Sequence, residues 1–276
     1  MTENSRHSPL FINCMKAYIK VILICLFNSL TIACSDSSFH DNHVIAHRGA
    51  WKDTGLPQNS LASFRAAAIM GCHGSECDVW LSADDSLVIR HDATRDGKRI
   101  DSMSYEEVTS VLLENGEKIP TLREYLTVAK KYPRTKLIID LKTNKEPART
   151  LLMLQMIVKL VEDLECQEQV EYILGYHPLY DTFSKMTTSP IAYLGHYKNE
   201  LPEMFPDSII TSGIKSVDYK YVHFDANPDW VETFKNSGVH LNVWTVNDEE
   251  SMKRFLDLGF DYITTDHPSL LLSLEK

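Results

Sequence analysis

Residues Ala46 to Asp92 read AHRGAWKDTGLPQNSLASFRAAAIMGCHGSECDVWLSADDSLVIRHD. Four short motifs follow one another in it: HRG (His47, Arg48, Gly49), PQN (Pro57, Gln58, Asn59), ECD (Glu76, Cys77, Asp78) and HD (His91, Asp92). Glu76 and Asp78 stand two apart in a segment bounded by Gly74 and running into Val79, Trp80 and Leu81. On a β-strand such a pair points to one face, and two parallel carboxylates want a cation. His47 follows the apolar run Val44, Ile45, Ala46, and His91 follows Leu87, Val88, Ile89, Arg90. Each imidazole is therefore expected where a buried strand meets solvent, a place from which it can move protons near neutral pH.

Outward from this stretch, short apolar runs alternate with helical periodicity. Val44 to His47 is the first strand. Ser60 to Met70 is a helix with Asn59 or Ser60 as cap, Leu61, Phe64 and Ala68 on one face and Gly71 as its stop. Glu76 to Leu81 and Leu87 to Arg90 form an extended pair joined by a turn at Ala83 to Ser86. A polar excursion, Ala93 to Lys118, contains a helix around Tyr105 to Leu113 and leads to a helix over Thr121 to Lys131. Leu137, Ile138 and Ile139 start a buried strand that ends charged, at Asp140, Leu141 and Lys142. Pro147 opens a long helix whose Leu151, Leu154, Val158 and Val161 share one face, a stripe that packs against a sheet. Tyr172 to Gly175 and Ile191 to Gly195 are short strands. A helix at Ser208 to Gly213 precedes Tyr221 to Phe224, the next strand candidate. Val239 to Val246 is a strand ending in Asn247, which with Glu250 three residues on reads as a helix cap and its reciprocal carboxylate. Tyr262 to Thr264 is the last strand, before Asp266, His267, Pro268 and a final helix.

Roughly eight strands alternating with helices suit a closed α/β barrel, in which the C-terminal strand ends converge on one face. His47, Asp140, Lys142, Asn247 and Asp266 all fall at such ends. An open doubly wound sheet predicts the same alternation, but it calls for a Gly-rich turn after the first strand, and HRGAWKD is not that turn. The expected fold is a single TIM (β/α)8 barrel over residues 43–276.

Composition limits the partners. A formal net charge of −10 argues against nucleic acid and against an electrostatic hold on anionic lipid. The N-terminus reads as a targeting segment: Met15, Lys16 and Lys20 are a basic start, Val21 to Ile32 is mainly apolar, and Ala33 precedes Cys34. That is the pattern of a lipoprotein signal peptide over residues 15–34, cut so that Cys34 becomes the lipidated N-terminus. An ordinary secretory cut and an uncleaved anchor are the alternatives. Residues 1–14 fit no signal and are expected to be a non-native upstream extension, with Met15 the true start. Ser35 to Asn42 is the expected tether, and the cell envelope the expected location. Of the six cysteines, Cys72, Cys77 and Cys166 remain in the barrel, an odd number that is no disulfide framework. They are expected to be buried thiols.

Taken singly, the polar residues have bland readings. His91 could be a surface histidine, Glu76 with Asp78 the wet face of an antiparallel strand, Asp140 with Lys142 a salt bridge, and Asn247 only a cap. Their conjunction at strand ends is what points to chemistry. All-oxygen ligands, Glu76, Asp78 and Asp140, favour a hard divalent ion, Mg²⁺ or Ca²⁺, over zinc. With Arg48, Lys142 and two histidines added, the set suits a phosphodiester. The cations would neutralise charge on the phosphoryl oxygens, one His would deprotonate the attacking group and the other would protonate the leaving alcohol.

From Val44 to Asp92 the chain resembles the glycerophosphodiester phosphodiesterase family, whose HRG, PEN, helix, ExD and HD it follows in order. IPTLREYL (Ile119 to Leu126), DLK (Asp140 to Lys142), VWTVND (Val243 to Asp248) and ITTDHP (Ile263 to Pro268) extend the likeness over nearly all of the barrel. The resemblance implies a TIM barrel, one divalent cation, and hydrolysis of glycerophosphodiesters to glycerol 3-phosphate and an alcohol. It implies acid and base roles for His47 and His91, metal ligation by Glu76 and Asp78, phosphate contacts from Arg48 and Lys142, and a substrate-pocket role for Trp244. Two positions depart from the family pattern. Gln58 stands where PEN has Glu, and Asp140 where the family has Glu, one methylene longer. Two alternatives follow: a phosphatidylinositol-specific phospholipase C-like enzyme acting on intact lipid, with an apolar rim at the barrel mouth, or a lipoprotein that binds a phosphodiester without cleaving it.

Overall fold

The computed structural model describes residues 38–195 and 204–275. Residues 1–37, which hold the expected extension, signal peptide and Cys34, lie outside the described residues. Eight parallel strands close on themselves: β1 (Val44–Ala46), β2 (Gly74–Leu81), β6 (Lys136–Leu141), β7 (Val170–Leu174), β8 (Ile191–Gly195), β9 (Ser216–Lys220), β10 (His240–Trp244) and β11 (Tyr262–Thr265). Closure is made by β1, which pairs with β11 (Val44 opposite Ile263) and with β2 (Ile45 opposite Gly74). Three further short strands stand outside the ring. β3 (Leu87–Ile89) runs antiparallel to β2, and β4 (Thr94–Arg95) pairs with β5 (Lys98–Arg99) in a small hairpin. The expected TIM barrel is thus the architecture observed.

Strand alternation sorts the side chains. In β6, Leu137, Ile139 and Leu141 point outward into a core shared with the helices Leu61–Met70, Leu122–Ala129 and Pro147–Asp163. Ile138 points inward, where it meets Ile45 and Ile173 in an apolar plug. In β2, Cys77, Val79 and Leu81 join the outer core, which leaves Glu76 and Asp78 on the inner face. Cys72, Cys77 and Cys166 are free and buried, as expected. The helix Leu61–Met70 starts at Ser60, whose side chain accepts the Ser63 N–H at 3.0 Å, and stops at Gly71 in the left-handed conformation.

Four sequence readings need correction. Tyr221 to Phe224 is no strand. It opens the helix Tyr221–Ala226, and the strand is the preceding Ser216–Lys220, where Val217 and Tyr219 face the outer core and Asp218 lies between them. A buried aspartate broke the apolar run that marks a barrel strand. The helix cap after β10 is Asp248, which accepts the Ser251 N–H at 2.8 Å, and Asn247 is drawn off to another partner. The polar excursion holds a helix only over Tyr105–Thr109; it packs with Trp80, Val88, Ile100, Met103 and Ile119 as a satellite core beside the barrel. On the long helix Leu151 is half-buried, and Met153, Leu154, Ile157, Val158 and Val161 carry the packing.

Gly49 shows how tightly the first loop is wound. Its φ is +82°, and a Cβ there would lie 2.6 Å from the Ser63 carbonyl carbon. Gly49→Ala is therefore expected to lower stability by more than ~1 kcal/mol in urea unfolding. An unchanged midpoint would contradict this close packing.

Candidate active site

The inner face of β2 and β6 carries the acidic cluster. One ligand atom each from Glu76, Asp78 and Asp140 can be chosen so that all lie within 4.8 Å of one another. Asp78 and Asp140 are register partners on adjacent strands, so their proximity follows from parallel pairing. Lys142 reaches back over both, its Nζ 2.6 Å from Asp78 Oδ1 and 2.6 Å from Asp140 Oδ2. The salt bridge between Asp140 and Lys142 is thus real, and it sits inside the cluster. Asn59 holds the remaining oxygen of Asp78: its Nδ2 donates to Oδ2 at 2.6 Å, and its Oδ1 accepts the Asp78 N–H at 3.2 Å. Asn59 does this from a left-handed backbone, φ +58°, a conformation that Asn tolerates better than most residues.

The HRG loop closes the cluster from above β1. Arg48 is also left-handed, φ +56°, and its N–H donates to Glu76 Oε2 at 2.8 Å. Its side chain runs past Asp78, Nε to Oδ2 3.6 Å, and one terminal nitrogen donates to Gln58 Oε1 at 2.6 Å. Arg48 Nε is buried without a hydrogen-bond partner. Gln58, the PEN departure, therefore aims the guanidinium and adds no charge.

The electrostatics of the cluster are divided. Burial, with Asp78 and Asp140 close by, pushes the Glu76 carboxyl well above the usual range. Burial pushes Asp78 the same way, but Lys142, Arg48 and His91 outweigh it and hold Asp78 at about 2. Burial works against charge on Lys142 too, yet the three carboxylates raise it far above an ordinary lysine. The donor set fits a hard divalent cation: three carboxylates, with Glu76 Oε1 and Asp140 Oδ1 accepting no hydrogen bond among the described residues.

His47, one residue past β1, is bound to the residue that follows the neighbouring last strand. Its Nδ1 lies 2.7 Å from Asp266 Oδ1, just past β11. Lys52 Nζ donates to Asp266 Oδ2 at 2.7 Å, and Asn247 Nδ2 donates to the same oxygen at 2.9 Å. Asn247 also accepts the Asp266 N–H at 2.9 Å, which explains why it does not cap its helix. Burial lowers His47 below the ordinary histidine value although Asp266 pulls it upward. His91 is the more open of the two, its side chain 40% exposed, with Nδ1 2.9 Å from Asp92 Oδ1. It lines a cleft of about 580 Å³ with Trp51, Lys52, Gln58, Asn59 and Glu114. Trp244 ends β10 and donates from Nε1 to the Asp218 carbonyl at 3.1 Å.

The structure thus brings Glu76, Asp78, Asp140, Lys142 and Arg48 into one cluster and sets both histidines within electrostatic reach of Asp78. The sequence places Asp266 at a strand end without a role for it, and it does not single out Asn59 or Lys52 as site residues. Asn59 looked like a cap, and nothing in the sequence marks Lys52. Asp218 is a fourth buried carboxyl, pushed well up by burial and by Asp140, and its Oδ1 has no hydrogen-bond partner.

A closed parallel barrel with carboxylates, cations and imidazoles at its C-terminal mouth defines a polar-substrate enzyme of the TIM-barrel class. Residues 47–270 match the glycerophosphoryl diester phosphodiesterase family, and the chain belongs to that family. A glycerophosphodiester phosphodiesterase of Caldanaerobacter subterraneus subsp. tengcongensis is 28% identical over 250 residues, 84% of this chain and 97% of that protein. The crystal structure of a glycerophosphodiester phosphodiesterase from Parabacteroides distasonis is 36% identical with a TM-score of 0.77, covering 86% of this chain and 98% of that one. A phosphodiesterase from Oleispira antarctica, solved with its product sn-glycerol-3-phosphate, shares the fold at 23% identity and a TM-score of 0.72, covering 85% of this chain and 97% of that one.

The raised Glu76 carboxyl has a measurable consequence. Ligation needs the carboxylate, so below the metal-free pKa of Glu76 an entering ion must displace a proton, and affinity rises with pH. Calorimetry with Mg²⁺ or Ca²⁺ at several pH values is expected to show proton release and tighter binding at higher pH. Glu76→Gln is expected to weaken binding, and an affinity unmoved by both changes would rule out Glu76 as a ligand.

Proposed function

We propose that this chain is a metal-dependent glycerophosphodiester phosphodiesterase, cleaving its substrate to glycerol 3-phosphate and an alcohol. The observation that carries the reading is the three-carboxylate cluster flanked by Lys142, Arg48 and two histidines, in a chain of this family. Glu76, Asp78 and Asp140 would hold one divalent cation, Mg²⁺ or Ca²⁺. When bound, that ion supplies a Lewis-acid charge to a phosphoryl oxygen.

The protein's own groups do the rest. The Arg48 guanidinium, its Nε paired with Asp78 at 3.6 Å and free of hydrogen bonds, suits a phosphate oxygen, with Gln58 holding its far end. Lys142 balances the carboxylates and adds positive charge beside the phosphate. His47 donates from Nδ1 to Asp266, which leaves Nε2 as the lone-pair nitrogen. Its lowered pKa keeps it neutral, and it takes a proton from the attacking oxygen, which belongs either to water or to the substrate's own hydroxyl; in the second case a water then opens the cyclic phosphate, so either route ends at glycerol 3-phosphate. His91 opens on the cleft and gives a proton to the departing alcohol. The cleft would hold that alcohol, and the Trp244 ring would line the glycerol side. Phosphatidylinositol cleavage fits less well with a chain of this family, and mere binding fits less well with a paired acid and base.

In cells, the Lys16, Lys20 and Ala33-Cys34 pattern supports a lipoprotein of the cell envelope, acylated at Cys34.

Purified enzyme with Mg²⁺ or Ca²⁺ is expected to release glycerol 3-phosphate from glycerophosphocholine and to stop with EDTA. His47→Ala and His91→Ala are each expected to lower kcat by ~10²-fold or more with the fold intact by circular dichroism. Near-normal turnover in either would remove its assigned role. Asp266→Asn takes away the partner that raises His47, so the acidic limb of the kcat/KM profile is expected to move to lower pH. A limb that stays in place would show that His47 is not the base.

A further inference from the structure

The part of the expected tether that lies among the described residues, Ser38 to Asn42, is bound to the barrel. His40 N–H donates to the Arg134 carbonyl at 2.9 Å, and the His40 carbonyl lies 2.8 Å from His73 Nδ1. Arg134 Nε donates to the Ser38 carbonyl at 3.2 Å. Asn42 donates to the Gly71 carbonyl at 2.9 Å and accepts the His73 N–H at 3.0 Å. Lys136 Nζ sits 4.1 Å from the Phe39 ring centroid. His73 and Lys136 stand at the starts of β2 and β6, so every one of these contacts is at the N-terminal end of the barrel. Catalytic residues leave from the opposite end, after Ala46 in β1 and after Leu141 in β6.

We infer that the barrel is held at its membrane by this N-terminal face, with the active-site mouth turned away from the bilayer that anchors it. Lipid of the anchoring bilayer is then out of reach of the site, and the glycerophosphodiester proposed above reaches it through water. This rests on the diesterase reading above and on Cys34 as the acylated N-terminus. Chain length decides the matter. Three residues separate Cys34 from Ser38, and the four steps between them span at most ~14 Å when fully extended. From Lys136 to Lys142 is six residues at ~3.3 Å with the strands tilted ~36°, so the strand layer alone is ~16 Å deep, before the loops and helices of the mouth are added. The tether is too short to turn the mouth onto its own bilayer.

The test uses the full chain, processed in cells and reconstituted in vesicles carrying acceptor-labelled lipid headgroups. Cys72, Cys77 and Cys166 are buried, so a fluorophore can be directed to Glu168→Cys, exposed beside the start of β7, or to Leu112→Cys at the mouth. Energy transfer to the headgroups is expected to be stronger from position 168 than from 112, with intact mass showing acyl chains on Cys34. Equal or reversed transfer overturns the inference, as does an unmodified Cys34. On the same vesicles, glycerophosphocholine in solution is expected to be cleaved and phosphatidylinositol in the bilayer left intact; cleavage of the bilayer lipid overturns the substrate class. Stronger transfer from 168 with glycerophosphocholine left whole would support the orientation and refute the diesterase reading instead.

Discussion

The mouth of this barrel depends on the ion cluster that Lys142 makes with Asp78 and Asp140. Two adjacent parallel strands place inward carboxylates side by side, and Glu76 adds a third below the loop. Such charges share a buried space only when they are compensated, and the chain's own groups do this in two ways. Lys142 neutralises the two aspartates at 2.6 Å, and Glu76 is pushed toward its protonated form. Such a site is preorganised around positive charge and holds spare acceptor oxygens for more of it. Asp140 is shorter than the family's glutamate, yet its carboxylate still falls within the 4.8 Å cluster.

A second network ties the first and last strands of the barrel together. His47 leaves the first strand, Asp266 the last, and Asn247 the one before it; Asp266 binds His47, Asn247 and Lys52. Closure of the β1 and β11 edges is therefore also what fixes the tautomer and direction of His47. Burial and Asp266 pull the imidazole in opposite directions, and burial prevails. The two networks meet at Arg48, whose left-handed backbone turns its N–H to Glu76 while the next residue, Gly49, packs on Ser63. Strain of this kind, about 1–3 kcal/mol for each such residue, is retained where neighbouring contacts over-determine the loop.

Gln58 illustrates how a departure from a pattern can be absorbed. Its amide oxygen accepts from Arg48 at 2.6 Å, so the position orients a cation without supplying charge to the metal cluster.

Local chemistry was legible wherever it is periodic. The alternation of apolar runs and helices determined the barrel, and the two-residue spacing in ECD determined that Glu76 and Asp78 share a face, because side chains alternate along a strand. The same rule fails at β9, where Asp218 sits inward between Val217 and Tyr219 and the apolar run Tyr221 to Phe224 imitates a strand. Sequence distance hid the rest. Asp266 is 219 residues from His47 and Lys52 is 214 from Asp266, so their bonds exist only once the barrel closes. Asn59 has the composition of a helix cap, and only the fold lays it against Asp78. By itself the sequence determined the fold, the acidic pair and the two histidines, since those rest on strand period and strand ends. Which partner orients each histidine, and how the buried charges divide their protons, was decided by tertiary structure alone, because both depend on distances across the barrel and on the loss of water inside it.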